Sequence, residues 1–205
     1  MRFRSAGPGA LLVEVGSLAR VRALHARIEE ERARGWAPGL VDVIPAARTV
    51  LLDGVTDQRA LAREMRSWLV KPRPSGSGRV AEIACRYDGP DLADVAKQWG
   101  VAPERVPAIH AGLVHEVAFC GFAPGFPYIA GLGGGREVAR RDQPRSSVPA
   151  GSVAVGDEYT GIYPRASPGG WQIIGSTDAV MWDPERDPAV LLAPGDQVRF
   201  IDVTP

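Results

Sequence analysis

The chain has 205 residues, of which 45% are hydrophobic and 23% charged, and its 24 Lys and Arg balance 24 Asp and Glu. This is the composition of a globular protein with one large domain or two small ones, and the zero net charge gives no electrostatic basis for gripping a nucleic acid. No apolar run approaches the roughly 18 residues of a membrane span. The N-terminal apolar patch is broken by Glu14, too short for a secretion signal, so a cytoplasmic location is expected.

In chain order, ALLVEVG (10–16) alternates as a strand does. SLARVRALHARIEEERARG (17–35) has helical spacing at Leu18, Val21, Leu24 and Ile28, with Ser17 as N-cap and Gly35 at the C-terminal end. LVDVIPAARTVLLDGV (40–55) reads as two strands around a turn. A second helix is expected over 56–70, capped by Thr56 or Asp57, with Leu61, Met65, Trp68 and Leu69 facing inward. KPRPSGSG (71–78) punctuates the chain as a flexible break, and RVAEIACRY (79–87) is a further strand. Residues 1–86 are therefore expected to form a two-layer α+β domain, an antiparallel sheet with two helices on one face.

Two short helices follow at 89–100 and 102–112, with Pro107 expected to split or kink the second. From Val114 onward helical periodicity stops. EVAFCG, SVAVG, TGIYP, WQIIGST and DQVRFIDV are short strand-like pieces between Gly/Pro turns, so residues 87–205 are expected to form a β-barrel domain preceded by two short helices. FCGFAPGFPYIAGLGGG (119–135) is too punctuated for a helix and too apolar for an ordinary solvent loop.

Several self-contained chemistries are absent. Neither lysine, Lys71 or Lys97, follows a glycine, so there is no phosphate-binding loop, and GLGGGR does not complete a dinucleotide fingerprint. Three histidines (His25, His110, His115) and two remote cysteines (Cys85, Cys120) make no metal-site spacing, and the thiols read as small buried groups. No Ala-Met-Lys-Met-like segment is present, so no covalent biotin is expected. What remains is a polar and aromatic set in the β-rich half: Arg140, Arg141, Arg145, Tyr163, Arg165, Ser167, Trp171 and Gln172, held in Gly/Pro-rich backbone. Arginine offers a fork for carboxylate or phosphate, glycine lets backbone N–H groups approach a ligand, and the aromatics supply an apolar wall. The structural alternatives stand beside this: Trp171 as core, the arginines as a solvated face, His110 as a packing residue at a helix end.

FCGFAPGFPYIAGL, PRSSVPAGSVAVG, TGIYPRASPGGWQIIGST and LLAPGDQVRF together resemble the signatures of the 5-oxoprolinase B-subunit family, also known as KipI or allophanate hydrolase subunit 1, the carboxyltransferase subdomain C/D of urea carboxylase. The resemblance implies an N-terminal α+β domain and a C-terminal cyclophilin-like β-barrel. It implies an enzyme component, inactive alone, that opens 5-oxoproline to L-glutamate at the expense of ATP, with Mg²⁺ as an accompanying ion in the complex. The partners would be a homologous barrel protein (the 5-oxoprolinase C subunit, or allophanate hydrolase subunit 2) and the 5-oxoprolinase A subunit. Inhibition of a sensor histidine kinase, and an accessory role to a biotin-dependent carboxyltransferase or allophanate hydrolase, are the alternative functions. Carried over by residue, His110 and Arg145 are the catalytic candidates, a proton shuttle and an anion holder. Phe122, Pro124, Gly125, Phe126, Tyr163, Ser167, Gly169, Gly170, Trp171 and Gln172 match the motifs as substrate or partner-interface residues. The chain departs from the pattern at Ala139, where a proline is usual. Phe122 and Phe126 are expected to anchor the partner barrel, so that replacing both by alanine should abolish the complex without unfolding the chain.

Overall fold

A computed structural model describes residues 1–70 and 78–205, in two compact units that divide at 75/76. The flexible break expected over 71–78 lies, apart from Gly78, outside the described residues.

The N-terminal unit is a four-stranded antiparallel sheet in the order β1-β2-β4-β3, formed by β1 (Arg2–Ser5), β2 (Ala10–Glu14), β3 (Asp42–Pro45) and β4 (Thr49–Asp53). Helix α1 (Leu18–Ala33) packs on β3 and β4. Ser17 Oγ accepts the Arg20 N–H at 3.4 Å, and Gly35 takes φ 87° just beyond the helix. Helix α2 (Gln58–Met65) is capped by Asp57, whose carboxylate accepts the N–H groups of Arg59 and Ala60 at 3.0 and 2.9 Å. Val13, Val21, Leu24, Ile28, Val50, Leu52 and Met65 form the core of this unit. Two expectations change here. α2 ends at Met65, so Leu69 is exposed rather than inward-facing. Strand β1 is an added edge strand whose RFRS composition carries no alternating apolar signal.

The second unit contains β5 (Val80–Cys85), α3 (Leu92–Trp99), α4 (Arg105–Ala111), β6 (His115–Cys120), β7 (Pro127–Ala130), β8 (Arg145–Val148), β9 (Ser152–Gly156), β10 (Tyr159–Ile162), β11 (Ser167–Gly169), β12 (Gln172–Ser176) and β13 (Gln197–Asp202). Seven strands join in the order β12-β9-β10-β7-β6-β13-β5. β5 lies parallel to β13, with Val80 opposite Gln197 and Cys85 opposite Asp202. The unit boundary therefore precedes β5, whereas a boundary at 86/87 would assign that strand to the first domain. Local pattern cannot distinguish these cases, because the pairing partner lies at the far end of the chain.

The sheet nearly closes. Arg86 and Ser176 exchange both backbone hydrogen bonds at 2.8 Å, joining the end of β5 to β12. A Cβ at Gly175 would strike the Arg86 carbonyl, so glycine permits this seam. Ile83, Val117, Ile129, Val155, Ile174 and Phe200 fill the interior. α3 packs on β12, and α4 on β13. α4 runs unbroken through Pro107, which is the third residue of the helix, where the backbone N–H has no intrahelical acceptor to lose.

Candidate functional site

Asp91 organises one side of the barrel. It precedes α3, yet its side chain makes no capping bond to that helix. Its carboxylate instead accepts Arg145 Nη1 at 2.9 Å and Nη2 at 2.8 Å, Arg141 Nη1 at 3.1 Å, and the Ile173 N–H at 2.7 Å. Asp91 is only 2% exposed. Burial pushes its carboxyl upward, but Arg145, the Ile173 N–H and Arg141 outweigh burial and hold it below the ordinary carboxylate value. Sequence reasoning missed Asp91 because GPDLADVA reads as a capped helix start, and an aspartate there looks fully explained.

Arg145 begins β8 and lies opposite Gly169 of β11 in a two-stranded ribbon. Gly170 accepts the Arg141 N–H at 2.8 Å, and Ser167 Oγ donates to the Arg165 carbonyl at 3.2 Å. The sequence motifs 140–147 and 163–172 are thus brought into one neighbourhood.

A second cluster is aromatic. Phe126 meets Phe122, Tyr163 and Trp171 at ring-centroid distances of 5.2, 5.1 and 5.7 Å, and Tyr128 joins Trp171 at 5.5 Å. The rings meet edge to face and approach the barrel backbone closely where the strands carry glycine. A Cβ at Gly156 would lie 2.7 Å from Trp171, and one at Gly161 the same distance from Phe126. A Cβ at Gly169 would overlap the Tyr163 hydroxyl. Pro124 and Gly125 shape the turn between β6 and β7, where Gly125 takes φ 77° against Met181 and Trp182. The two phenylalanines then diverge. Phe126 is 2% exposed, a core residue, whereas Phe122 is 61% exposed at φ 67°, left-handed backbone that a bulky residue seldom adopts. Removing both rings would therefore damage the core, contrary to the expectation that the fold would survive.

His110 sits apart from Arg145. Its ring is fully buried inside the second unit, with Nδ1 2.8 Å from the Tyr87 hydroxyl and Nε2 2.9 Å from Thr160 Oγ1. His115 Nε2 donates to the His110 carbonyl at 2.8 Å. Burial, then the neighbouring His115, holds His110 well below its usual pKa, so the ring is neutral. Both ring nitrogens are engaged and the ring has no solvent exposure, which fits an interior hydrogen-bond link more directly than a proton shuttle. Burial likewise pushes the Cys85 and Cys120 thiols up to about 12 and about 11, leaving them unreactive. Among the described residues no three His, Cys, Asp or Glu side chains group to hold a metal ion, and no helix is long and apolar enough to cross a membrane.

The carboxyltransferase domain, subdomain C and D, family matches residues 1–192, and the chain belongs to that family. It is 42% identical over 171 residues to the 5-oxoprolinase B subunit of Escherichia coli O157:H7, covering 80% of this chain and 78% of that protein. To the 5-oxoprolinase B subunit of Bacillus subtilis (strain 168) it is 36% identical over 202 residues, 90% and 82% of the two chains. The crystal structure of TTHA0988 superposes with a TM-score of 0.78 at 36% identity, covering all of this chain, which spans 41% of that longer one. Urea carboxylase of Kluyveromyces lactis shares the fold, with a TM-score of 0.73 at 20% identity over 98% of this chain and 22% of the other.

Proposed function

We propose that this chain is the B subunit of an ATP-dependent 5-oxoprolinase that opens 5-oxoproline to L-glutamate together with a homologous barrel protein and a third component. The observation that carries this reading is the 42% identity to a 5-oxoprolinase B subunit across four fifths of the chain. The barrel is taken to be cyclophilin-like and the setting cytoplasmic. A lactam is a stable amide, so its carbonyl needs activation, and ATP would supply it by phosphorylation. ATP and its Mg²⁺ belong, in this reading, to the assembled complex: this chain has neither a glycine-lysine phosphate loop nor a grouped set of hard ligands among the described residues.

This chain's own residues have two tasks. The Asp91 carboxylate fixes the Arg145 guanidinium, so that Arg145 and Arg141 present a preorganised cationic edge to a carboxylate or phosphoryl group. The exposed Phe122 ring, backed by Phe126 and Tyr163, supplies the apolar contact for the partner barrel. The likeness to urea carboxylase is one of fold alone, so a biotin-dependent role draws no support from it.

The test is reconstitution. The chain is co-expressed with its barrel partner, the A subunit of 5-oxoprolinase is added, and L-glutamate and ADP are followed with 5-oxoproline and ATP as substrates. Glutamate formation that requires all three components is expected. A folded, stoichiometric complex that releases no glutamate would refute the assignment.

A further inference from the structure

The zero net charge conceals a division. Residues 1–75 hold 13 Lys and Arg against 8 Asp and Glu, and residues 76–205 hold 11 against 16, so the N-terminal unit is cationic and the second unit anionic. The cationic unit uses its arginines in two ways. On α1 and at its end, Arg27, Arg32 and Arg34 are each paired with Glu29 or Glu31. On α2 and at its end, Arg59, Arg63 and Arg66 recur at i, i+4 and i+7, so they share one helix face, and all three are exposed. None of these three has a carboxylate partner among the described residues. The acidic side chains at the two ends of α2 are committed elsewhere. Asp57 accepts the N–H groups of Arg59 and Ala60, and Glu64 accepts the Trp36 indole N–H at 2.9 Å.

These arginines border a groove of about 760 Å³ whose apolar lining includes Phe3 and Pro8. The groove is preformed. Gln58 Nε2 donates to the Gly7 and Pro8 carbonyls at 2.7 and 3.1 Å, tying the turn between β1 and β2 to α2, and the Arg66 guanidinium lies 5.3 Å from the centre of the Phe3 ring. From Arg59 to Arg66 the helix rises about 10 Å. Three solvated cations in a row of that length match successive anionic groups along a chain better than one small anion, which a buried, converging set would hold. A nucleic acid also offers a row of anions, but one long enough to bind draws on the charge of the whole chain, which is zero, and its phosphates make no use of an apolar lining. We infer that this groove is the docking site for an acidic segment of a partner protein, its carboxylates paired with Arg59, Arg63 and Arg66 and an apolar side chain between them set against Phe3 and Pro8. The inference does not depend on the 5-oxoprolinase reading.

The test is fluorescence anisotropy of the full chain with a fluorescein-labelled peptide of Glu-Glu-Leu repeats, beside the same peptide with Gln for Glu and an oligothymidylate of equal length. Wild type should bind the Glu peptide, more weakly as salt is raised, and should not bind the Gln peptide. Replacing Arg59, Arg63 and Arg66 together by Gln, a residue of similar helix propensity at exposed positions, should weaken binding about tenfold or more. Arg63→Gln alone should weaken it about threefold, and it decides the matter should the triple variant fail to fold. Arg27→Gln with Arg32→Gln, at arginines already paired on α1, should leave the affinity in place. Equal binding of the Glu and Gln peptides, no binding of either, or an affinity unchanged in the folded arginine variants would overturn the site. Tighter binding of the oligothymidylate than of the Glu peptide would make the groove a nucleic-acid site and overturn the assignment of a protein segment.

Discussion

Arg145 and Asp91, 54 residues apart in sequence, form a two-pronged ion pair in which both terminal guanidinium nitrogens reach the carboxylate at 2.9 and 2.8 Å. The pair ties the ribbon β8–β11 to the start of α3, and through the Ile173 N–H it also holds the first residues of β12. Asp91→Ala leaves two guanidinium groups and a buried N–H without their acceptor. The expected loss is about 2–4 kcal/mol, at the lower side of buried ion pairs because the arginines keep some contact with water. Arg145→Ala should cost less, since Arg141 and Ile173 still satisfy the carboxylate. Urea denaturation compares the two; equal losses, or none, would contradict this account.

The same carboxylate sets an acid limb. Its pKa is below the unfolded value of 3.8, so the folded state binds fewer protons than the unfolded one in that window. The stabilisation is fully present above pH 3.8 and is lost as pH falls through the folded pKa. Asp91→Asn should lower the urea midpoint at neutral pH and flatten its fall below pH 3.8. A mutant profile parallel to wild type down to about pH 2.5 would show that another carboxylate governs the limb.

His110 and His115 act in a higher window. Both are held below 6.5 mainly by burial, so the unfolded chain takes up protons before the folded one does. Their neutral forms stabilise the fold above pH 6.5, and that contribution declines as pH drops toward their folded pKa values. His110→Gln, which keeps hydrogen-bonding capacity toward Tyr87 and Thr160, should reduce the slope of stability between about pH 6.5 and 5. If His110 also carries a proton in catalysis, the same variant should reduce kcat in the assembled complex in addition to changing the slope.

Gly161 is placed to test the aromatic shelf. A Cβ there would lie 2.7 Å from Phe126 and 2.8 Å from Trp171, so Gly161→Ala must displace a buried ring. The expected penalty is about 1–3 kcal/mol, measured by thermal or urea unfolding, with altered near-ultraviolet dichroism as the shelf shifts. Gly133, which faces open space, provides the control: Gly133→Ala should leave both readouts in place.

Phe122 separates folding from association. Its ring is mostly in solvent and its backbone is left-handed, so Phe122→Gly should leave the isolated chain as stable as wild type or more stable by up to about 1 kcal/mol. Complex formation with the partner barrel, followed by size-exclusion chromatography, should weaken sharply. Phe126→Ala should do the reverse, costing about 3–5 kcal/mol of stability by opening a core cavity. A Phe122→Gly chain that still forms a full complex would remove this ring from the interface.

Elements whose cause is local were legible from residue order alone. Ser17 and Asp57 capped the helices they precede, apolar spacing defined α1, and the Gly/Pro punctuation after Val114 announced many short strands. Long motifs such as TGIYPRASPGGWQIIGST carried the family as well, because so many glycines and aromatics at set positions reflect one packing arrangement. What residue order could not decide was pairing. That β5 belongs to the barrel depends on β13, more than a hundred residues away, and β8 and β11 are too short and polar to show a period. Burial was equally hidden: Phe122 and Phe126 sit four residues apart in one apolar turn, yet one faces water and the other Trp171. Asp91 stands at the start of α3, and its role exists only once the chain has folded Arg141 and Arg145 onto it. Local backbone preference is written in neighbouring residues, whereas the partner of a charge or a strand exists only once distant segments have met.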